Sequence, residues 1–281
     1  MKVKPFIWLL VLLQSRAMLA QEYNLGARAQ ALGGSGVARA GDPEGQFMNP
    51  AVLTQVPGKA VTLSYSRPFG IKEITLSSVS ASATFGKLSF GGAVVHLGQA
   101  QFNDHTYLLT FALKPALPTA PGKTAKHFSL GIQSALRHVR VSSYEAQRVW
   151  QVHAGLVAPM SQHLAWGAAF GNFIDSGRER LPRSITLGLS YRPSPKFTGQ
   201  IDLYKQSGFA QEIRGGAELI LFESLVLRFG LGTNPDRFTV GLAFALKPVM
   251  LHFTTFSHFD LGWTQQYAAT LKQGGVDRAK E

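Results

Sequence analysis

The sequence predicts an all-β protein, a 14-stranded antiparallel transmembrane β-barrel with a short helical plug segment at its N-terminus. Three observations support this prediction. The chain starts with a secretion signal, and most of the remainder alternates between apolar and polar residues with a period of two. Only 16% of the residues are charged, fewer than a soluble surface of this size normally carries.

The predicted signal peptide occupies residues 1–20. Lys2 and Lys4 precede an apolar run from Phe6 to Leu13, and small residues ending at Ala20 suit cleavage. The run is too short to anchor the chain in a membrane, and no later window holds 18 uninterrupted apolar residues. The absence of cysteine excludes an acylated anchor, disulfides and thiolate metal sites. We expect signal-peptide cleavage and a place in the bacterial outer membrane, in contact with its lipid.

Residues 59–272 are predicted to form the barrel. The alternation is clearest at 184–191 and 238–246, where large apolar side chains share one face and Gly, Ala, Ser and Thr share the other. A phase change at Ser77 and Ser78 predicts a bulge. Fourteen segments, an even number typical of outer-membrane barrels, fall at 60–66, 74–85, 87–97, 106–114, 126–138, 147–157, 163–173, 184–192, 196–205, 212–221, 224–232, 237–246, 248–257 and 262–272.

A soluble β-sandwich is the alternative, but its outward face would carry more Lys and Glu than either face does here. The connections also favour the barrel. Short turns follow even-numbered segments at 86–87, 222–224 and 247–248, and longer loops follow odd-numbered ones at 138–147 and 174–183. The Pro- and Ala-rich stretch 114–126 is an exception, because it is a long connection on the short-turn side.

Residues 21–58 differ from the barrel in composition, since they are rich in Gly and Ala. We predict a plug-like segment of one or two short helices in the barrel mouth, followed by a turn at Asn49–Ala51 that leads into the first strand. Small residues would let this backbone approach the lumen wall closely. The polar residues 273–281 are predicted to be a C-terminal tail.

Three stretches carry a family resemblance: Gly26–Ala38 with Asp42 and Asn49–Ala51, then Leu181–Pro193, and the ending Phe259–Trp263. Together they resemble the PorV/PorQ-type outer-membrane proteins and their relatives in the FadL-like β-barrel superfamily. The resemblance implies a 14-stranded barrel whose N-terminal segment lies in or under the lumen. It also implies one of two roles: sideways release of hydrophobic molecules, as in FadL-like members, or a part in type IX secretion, as in PorV/PorQ-like members.

The first group of candidate functional residues belongs to the plug-like segment. The run from Gly33 to Gly36 echoes a dinucleotide fingerprint, but it follows no strand of a βαβ unit, so tight packing explains it better. Asn49 is most simply part of a turn, and the alternative is a gate that moves when ligand binds. The plug or gate candidates are Gly33, Gly34, Gly36, Asp42, Asn49, Pro50 and Ala51.

The second group is a lumen charge cluster of Asp202, Arg214, Glu218 and Arg228, which fall on the polar face of consecutive segments. A cation on the lipid face would cost about 2–4 kcal/mol near the midplane, so we place these charges in the lumen. Either they form a salt-bridged ladder that holds the lumen or the plug-like segment, or one arginine pairs with a ligand carboxylate.

No motif indicates catalysis, since the Ser and His residues lack the spacing of a known triad or metal site. We expect a non-enzymatic protein without catalytic residues, cofactor or metal. The excess of 28 Lys and Arg over 16 Asp and Glu is spread over loops, which favours attraction to anionic lipid over nucleic acid.

The predicted function is envelope transport, with passage of small hydrophobic or amphipathic molecules. This hypothesis predicts a continuous apolar pocket between the plug-like segment and the wall. An accessory role with secretion-system proteins as partners, or a purely structural barrel, is the alternative.

Overall fold

The computed structural model describes residues 26–99, 101–115, 127–142, 146–176, 181–258 and 262–273. The predicted signal peptide, residues 21–25, most of the stretch 114–126, residues 259–261 of the ending motif and the predicted tail beyond Gln273 lie outside these residues.

Fourteen antiparallel strands form the wall of a closed barrel. Each pairs with its neighbours in sequence, and the first pairs with the last, so every one of these strands has a partner on both sides. The predicted 14-stranded barrel is confirmed, and the predicted boundaries lie within four residues of the observed ones. The strands are β1 (Lys59–Arg67), β2 (Thr75–Phe85), β3 (Leu88–Gln99), β4 (Phe102–Leu113), β5 (Ser129–Val141), β6 (Gln147–Pro159), β7 (Leu164–Asp175), β8 (Ser184–Ser194), β9 (Phe197–Gln206), β10 (Glu212–Phe222), β11 (Leu225–Gly232), β12 (Arg237–Leu246), β13 (Val249–His258) and β14 (Gly262–Gln273).

Outward and inward side chains alternate along the strands as the sequence indicates. On β12, Phe244 and Leu246 are exposed on the outer face, whereas Thr239 and Ala243 are buried inside. Each of the 14 strands contributes an exposed large apolar side chain to the outer surface. An apolar outside around a more polar inside is the arrangement that contact with lipid requires.

The predicted bulge at Ser77 and Ser78 is wrong. β2 pairs with both β1 and β3 without a register shift. The sequence pattern changes phase there because Leu76 is an apolar residue on the inner face, where it lies opposite Leu97. Register shifts occur instead between β6 and β7, β8 and β9, and β10 and β11.

The two rims of the barrel differ in the length of their connections. On the rim where β1 begins and β14 ends, four turns have two residues each: 86–87, 195–196, 223–224 and 247–248. The opposite rim carries longer connections at 68–74, 142–146, 176–183 and 207–211, although 100–101 is short. The loops predicted at 138–147 and 174–183 are therefore shorter than expected, because β5 and β7 continue into them. Short turns are typical of the periplasmic side, so the opposite rim is the external one.

The lumen is occupied by residues 26–58, which we call the plug. It consists of helix α1 (Ala27–Ala31) and two 3-10 helices, Pro43–Phe47 and Pro50–Gln55. Leu53 and Val56 are fully buried and pack against the wall. Among the described residues, no helix is long and apolar enough to cross a membrane.

Inward-facing glycines let the plug backbone touch the wall. A Cβ atom at Gly216 would lie 2.6 Å from the Cα atom of Leu32, closer than Cβ atoms come in real proteins. Plug backbone crowds Gly131, Gly167 and Gly230 in the same way, and plug side chains crowd Gly91, Gly155 and Gly241. Glycine on the inner face of these strands is therefore a packing requirement.

We expect Gly216→Ala to destabilise the folded barrel by about 1–3 kcal/mol, because the added methyl group must displace the plug or the strand. The neighbouring Gly215 faces outward, and a Cβ there would lie 3.6 Å from the Gln200 carbonyl oxygen, an ordinary contact. Gly215→Ala is therefore the matched control. Urea unfolding in detergent micelles, followed by tryptophan fluorescence, measures both variants, and equal losses would contradict the packing argument.

Candidate functional site

Glu218 on β10 is the centre of a buried charge network that joins the plug to the wall. Its carboxylate accepts hydrogen bonds from Arg28 of the plug at 2.9 and 3.0 Å and from Arg228 on β11 at 2.7 Å. Arg228 lies directly opposite Glu218 in the ladder and also contacts the Nδ1 atom of His252 at 3.1 Å. One carboxylate thus binds two guanidinium groups and ties α1 to strands β10 and β11.

Asp202 on β9 holds the plug by its backbone. Its Oδ2 atom accepts hydrogen bonds from the amides of Gly36 at 2.7 Å and Val37 at 2.9 Å. On the adjacent β8, a Cβ at Gly188 would collide with the other carboxylate oxygen. Gly188 therefore leaves the space that the Asp202 carboxylate occupies.

Arg214 lies opposite Asp202 in the ladder but bonds to a different acid. Its Nε atom donates to Glu212 at 2.9 Å, and its guanidinium carbon lies 3.8 Å above the centre of the Tyr204 ring. Arg237 on β12 donates to the same Glu212 carboxylate at 2.8 Å.

All four residues of the predicted charge cluster face the lumen, but the structure divides them into three groups rather than one ladder. Glu218 and Arg228 form an ion pair that also anchors the plug, Asp202 binds plug amides, and Arg214 belongs to the Glu212 group. The ion-pair partners of Glu218 are two arginines of the chain itself, Arg28 and Arg228.

Asn49 joins the plug to the other flank of the wall. Its Oδ1 atom accepts a hydrogen bond from the Ala51 amide at 2.9 Å and so caps the helix that starts at Pro50. Its Nδ2 atom donates to the Val37 carbonyl at 2.7 Å and to wall carbonyls of β6 and β7 at 3.1 and 3.3 Å. Asn49–Ala51 is therefore a helix start bound to the wall, and not the predicted turn into β1, which begins only after this helix.

Gly33 and Gly34 end helix α1. Both have positive φ, 70° and 82°, in the left-handed region that favours glycine at a helix terminus. The Gly33 amide donates to the Thr239 hydroxyl at 3.0 Å, and that hydroxyl donates to the Ala31 carbonyl at 3.0 Å. The run that resembles a dinucleotide fingerprint is thus a helix end packed against β12. In the described part of the chain, no group of three or more His, Asp or Glu side chains is placed to hold a metal ion.

Asp42 and Glu44 are two acids buried in the plug. The Glu44 Oε2 atom accepts a hydrogen bond from the Ala27 amide at 3.0 Å. Burial, reinforced by the nearby Asp42 carboxylate, raises the pKa of Glu44 to about 8. The sequence identified Asp42 but missed Glu44 and Arg28. The available signal was the presence of charges in a stretch otherwise made of small residues, since such charges need partners inside a lumen.

A cavity of about 150 Å³ lies between the external side of the plug and the wall. Phe47 and Met48 of the plug contribute to it, and strands β3 to β9 form its sides. Its lining is partly apolar, with Leu97 and Leu108, and partly polar, with the Asp104–Arg137 ion pair. The predicted pocket between plug and wall exists, but polar side chains interrupt its apolar surface.

The cavity ends at an interruption of the wall between β6 and β7. Pairing stops at Ala154–Phe170 and resumes at Val152–Ile174, so β7 contains two extra residues at this point. Asn172, within the interruption, has a φ of 54°. Ala154 and Phe170 also line the cavity, although both belong to the outer face of the barrel. The cavity therefore extends from the lumen to the interruption of the wall between β6 and β7.

Solved structures share this architecture. The Pseudomonas putida toluene transporter TodX superposes with a TM-score of 0.62 at 10% identity, covering 89% of this chain and 99% of that chain. The Ralstonia pickettii toluene transporter TbuX gives 0.58 at 13% identity, with 88% and 96% covered. A Pseudomonas aeruginosa FadL homologue gives 0.55 at 10% identity, with 88% and 98% covered. The chain has the FadL-type barrel fold.

At such low identity the likeness shows the fold alone. It supports the FadL-like barrel of the resemblance, whereas none of these three structures is a PorV or PorQ protein. No protein-family model matches the sequence, and no curated protein matches it.

We expect Glu218→Gln to destabilise the barrel more than Arg28→Met. The first change leaves two buried guanidinium groups without their carboxylate, which costs about 3–5 kcal/mol. The second leaves the Glu218–Arg228 pair intact and removes the hydrogen bonds that Arg28 donates to Glu218 and to the Arg39 carbonyl, which costs about 1.5–3 kcal/mol. Thermal unfolding in micelles ranks the two variants, and the reverse order would contradict the network described here.

We expect Glu44→Gln to reduce the loss of stability at alkaline pH. A carboxyl group whose pKa is raised in the folded protein stabilises the fold fully below its unfolded pKa of 4.5, and this contribution is lost as pH rises towards and through about 8. The slope is at most about 1.4 kcal/mol per pH unit. Unfolding free energies of wild type and variant from pH 5 to 9 test this, and parallel curves would refute it.

Proposed function

We propose that this protein is a non-enzymatic outer-membrane barrel that takes up small hydrophobic molecules from the cell exterior and releases them sideways into the membrane. The observation that carries the proposal is the lumen cavity that extends to the interruption of the wall between β6 and β7. The apolar outer surface of the barrel supports the membrane location.

The position of the plug favours a sideways route over a straight one. The cavity lies on the external side of Phe47 and Met48, while the periplasmic half of the lumen is filled by buried plug residues such as Leu53 and Val56. A molecule that enters from the external rim therefore meets the plug before it can reach the periplasm. The interruption beside Asn172 offers the exit.

The size and lining of the cavity support a ligand class. A dry apolar cavity of about 150 Å³ is large enough to bind benzene, so the lumen cavity suits one small apolar molecule. Two pairs of lining residues are joined by hydrogen bonds: Arg137 donates to Asp104 at 2.9 Å, and Gln133 donates to the Gln46 carbonyl oxygen at 3.1 Å. Pairing lowers their demand for water and makes an apolar occupant less costly.

The fold neighbours point to the same class. TodX and TbuX are toluene transporters, and CymD is a monoaromatic hydrocarbon channel. We therefore propose small hydrocarbons of monoaromatic size as ligands. The accessory role in type IX secretion, which the resemblance also implies, stays a prediction.

We expect Ala169→Phe to lower the uptake of labelled toluene at least tenfold in Gram-negative cells that produce the protein. Ala169 is a buried, inward-facing cavity residue, and a phenyl ring there would fill the ligand space. Ala158→Phe adds the same ring on the outer face of β6, away from the cavity, and is the matched control. If folded Ala169→Phe protein takes up toluene at the wild-type rate, the cavity is not the route.

A further inference from the structure

A row of four basic side chains crosses the outer face of the barrel near the external rim. The ladder places His96 on β3 opposite His105 on β4, His105 opposite His138 on β5, and His138 opposite Arg148 on β6. The rings of His96 and His105 lie 4.6 Å apart, centre to centre. No part of the proposed uptake route uses these residues.

The direction of the row follows from the alternation of the strands. Val95, Asp104 and Arg137, each adjacent in sequence to one of these histidines, line the lumen cavity. Neighbouring side chains on a strand point to opposite faces, so His96, His105 and His138 point away from the lumen. The row therefore belongs to the lipid-facing surface.

The level of the row is that of lipid head groups. Each member lies within three residues of the external end of its strand. Two residues towards the periplasm, the next outward row contains Tyr107 and Trp150, which are 45% and 42% exposed. Tyr and Trp with apolar neighbours mark the boundary between hydrocarbon and head groups. The basic row stands just beyond that boundary.

The charge of this surface is completed by Arg140. It shares the outward face of β5 with His138, and both Arg140 and Arg148 are exposed. Two guanidinium groups supply the positive charge of this surface, and three imidazoles lie beside them on adjacent strands. Guanidinium groups bind phosphate through paired hydrogen bonds, and an imidazole can donate a further one.

We propose that this basic patch, made of His96, His105, His138, Arg140 and Arg148, binds the phosphorylated head group of an outer-leaflet glycolipid. Arg140 and Arg148 contact the phosphate, the half-buried histidines border it, and the acyl chains run along Tyr107 and Trp150. The charge complementarity between a phosphate monoester and this surface supports the occupant. The proposal rests on the proposed outer-membrane location, but not on the uptake of hydrocarbons.

Binding of diphosphorylated lipid A to the purified protein in detergent micelles, measured by native mass spectrometry, tests the proposal. We expect the affinity of R140Q/R148Q to be at least tenfold lower than that of wild type. R67Q/K205Q removes the same charge from exposed outward positions at the external ends of β1 and β9, and we expect it to bind normally. H96Q/H138Q provides a second, independent variant, for which we expect a smaller loss.

Two further probes identify the source of the phosphate. Lipid A without its phosphates should not bind, and phosphatidylglycerol should bind more weakly than diphosphorylated lipid A. Complete displacement of lipid A by millimolar inorganic phosphate would assign the patch to the free anion and overturn the proposal. Equal lipid binding by R140Q/R148Q and R67Q/K205Q would overturn it as well.

Toluene uptake separates this proposal from the proposed function. We expect R140Q/R148Q to fold and to take up toluene like wild type while it loses lipid A. A wild-type protein that binds lipid A but carries no toluene would leave the patch supported and refute only the uptake route.

Discussion

The close approach of the plug backbone to the barrel wall determines how the rest of the lumen is built. At Gly216 there is room for a hydrogen atom and none for a methyl group, because the Cα atom of Leu32 occupies the place of a Cβ. Backbone that comes this near to a wall must satisfy its polar groups there. Thr239 and Asp202 provide such partners, since they bind the amides of Gly33, Gly36 and Val37.

Buried charge is tolerated in this lumen because each group is shared. Glu218 neutralises Arg28 and Arg228 at once, and Glu212 accepts hydrogen bonds from two arginines of its own. An ion pair of this kind adds little net stability compared with apolar packing, but losing one partner is expensive. Its main effect is to fix where the plug sits, because Arg28 reaches the Glu218 carboxylate only when α1 lies in this position in the lumen.

The fold was largely predictable from the sequence, because alternation is local and each strand shows it independently. The exceptions have physical causes: Leu76 is apolar but faces the lumen, and so suggested a bulge at a regular position. The two extra residues of β7 at Asn172 were not recognised, because an insertion of two keeps the phase of the alternation and leaves Phe170 and Ile174 both on the outer face.

Much of the site was not predictable. The candidates in the plug and on β9 to β11 do lie together in the lumen, but their partners are set by tertiary structure. Arg28 and Glu218 are 190 positions apart in the chain, and no single-sequence pattern connects them. The capping by Asn49 was within reach, because Asn before Pro is a common helix start. The hydrogen bonds from Asn49 to the wall carbonyls were not predictable.

These hydrogen bonds to the wall have a mechanical consequence. Asn49 donates to the carbonyls of Leu156 and Ala168, which face each other two residues below the last paired position before the gap. The plug is therefore fixed to the wall on two flanks. On one flank Asn49 binds β6 and β7 on the periplasmic side of the interruption, and on the other Arg28 binds Glu218. In a barrel without a plug, β6 and β7 could shift relative to each other until the unpaired stretch between them closed. Here such a shift would first have to break the hydrogen bonds of a single amide group.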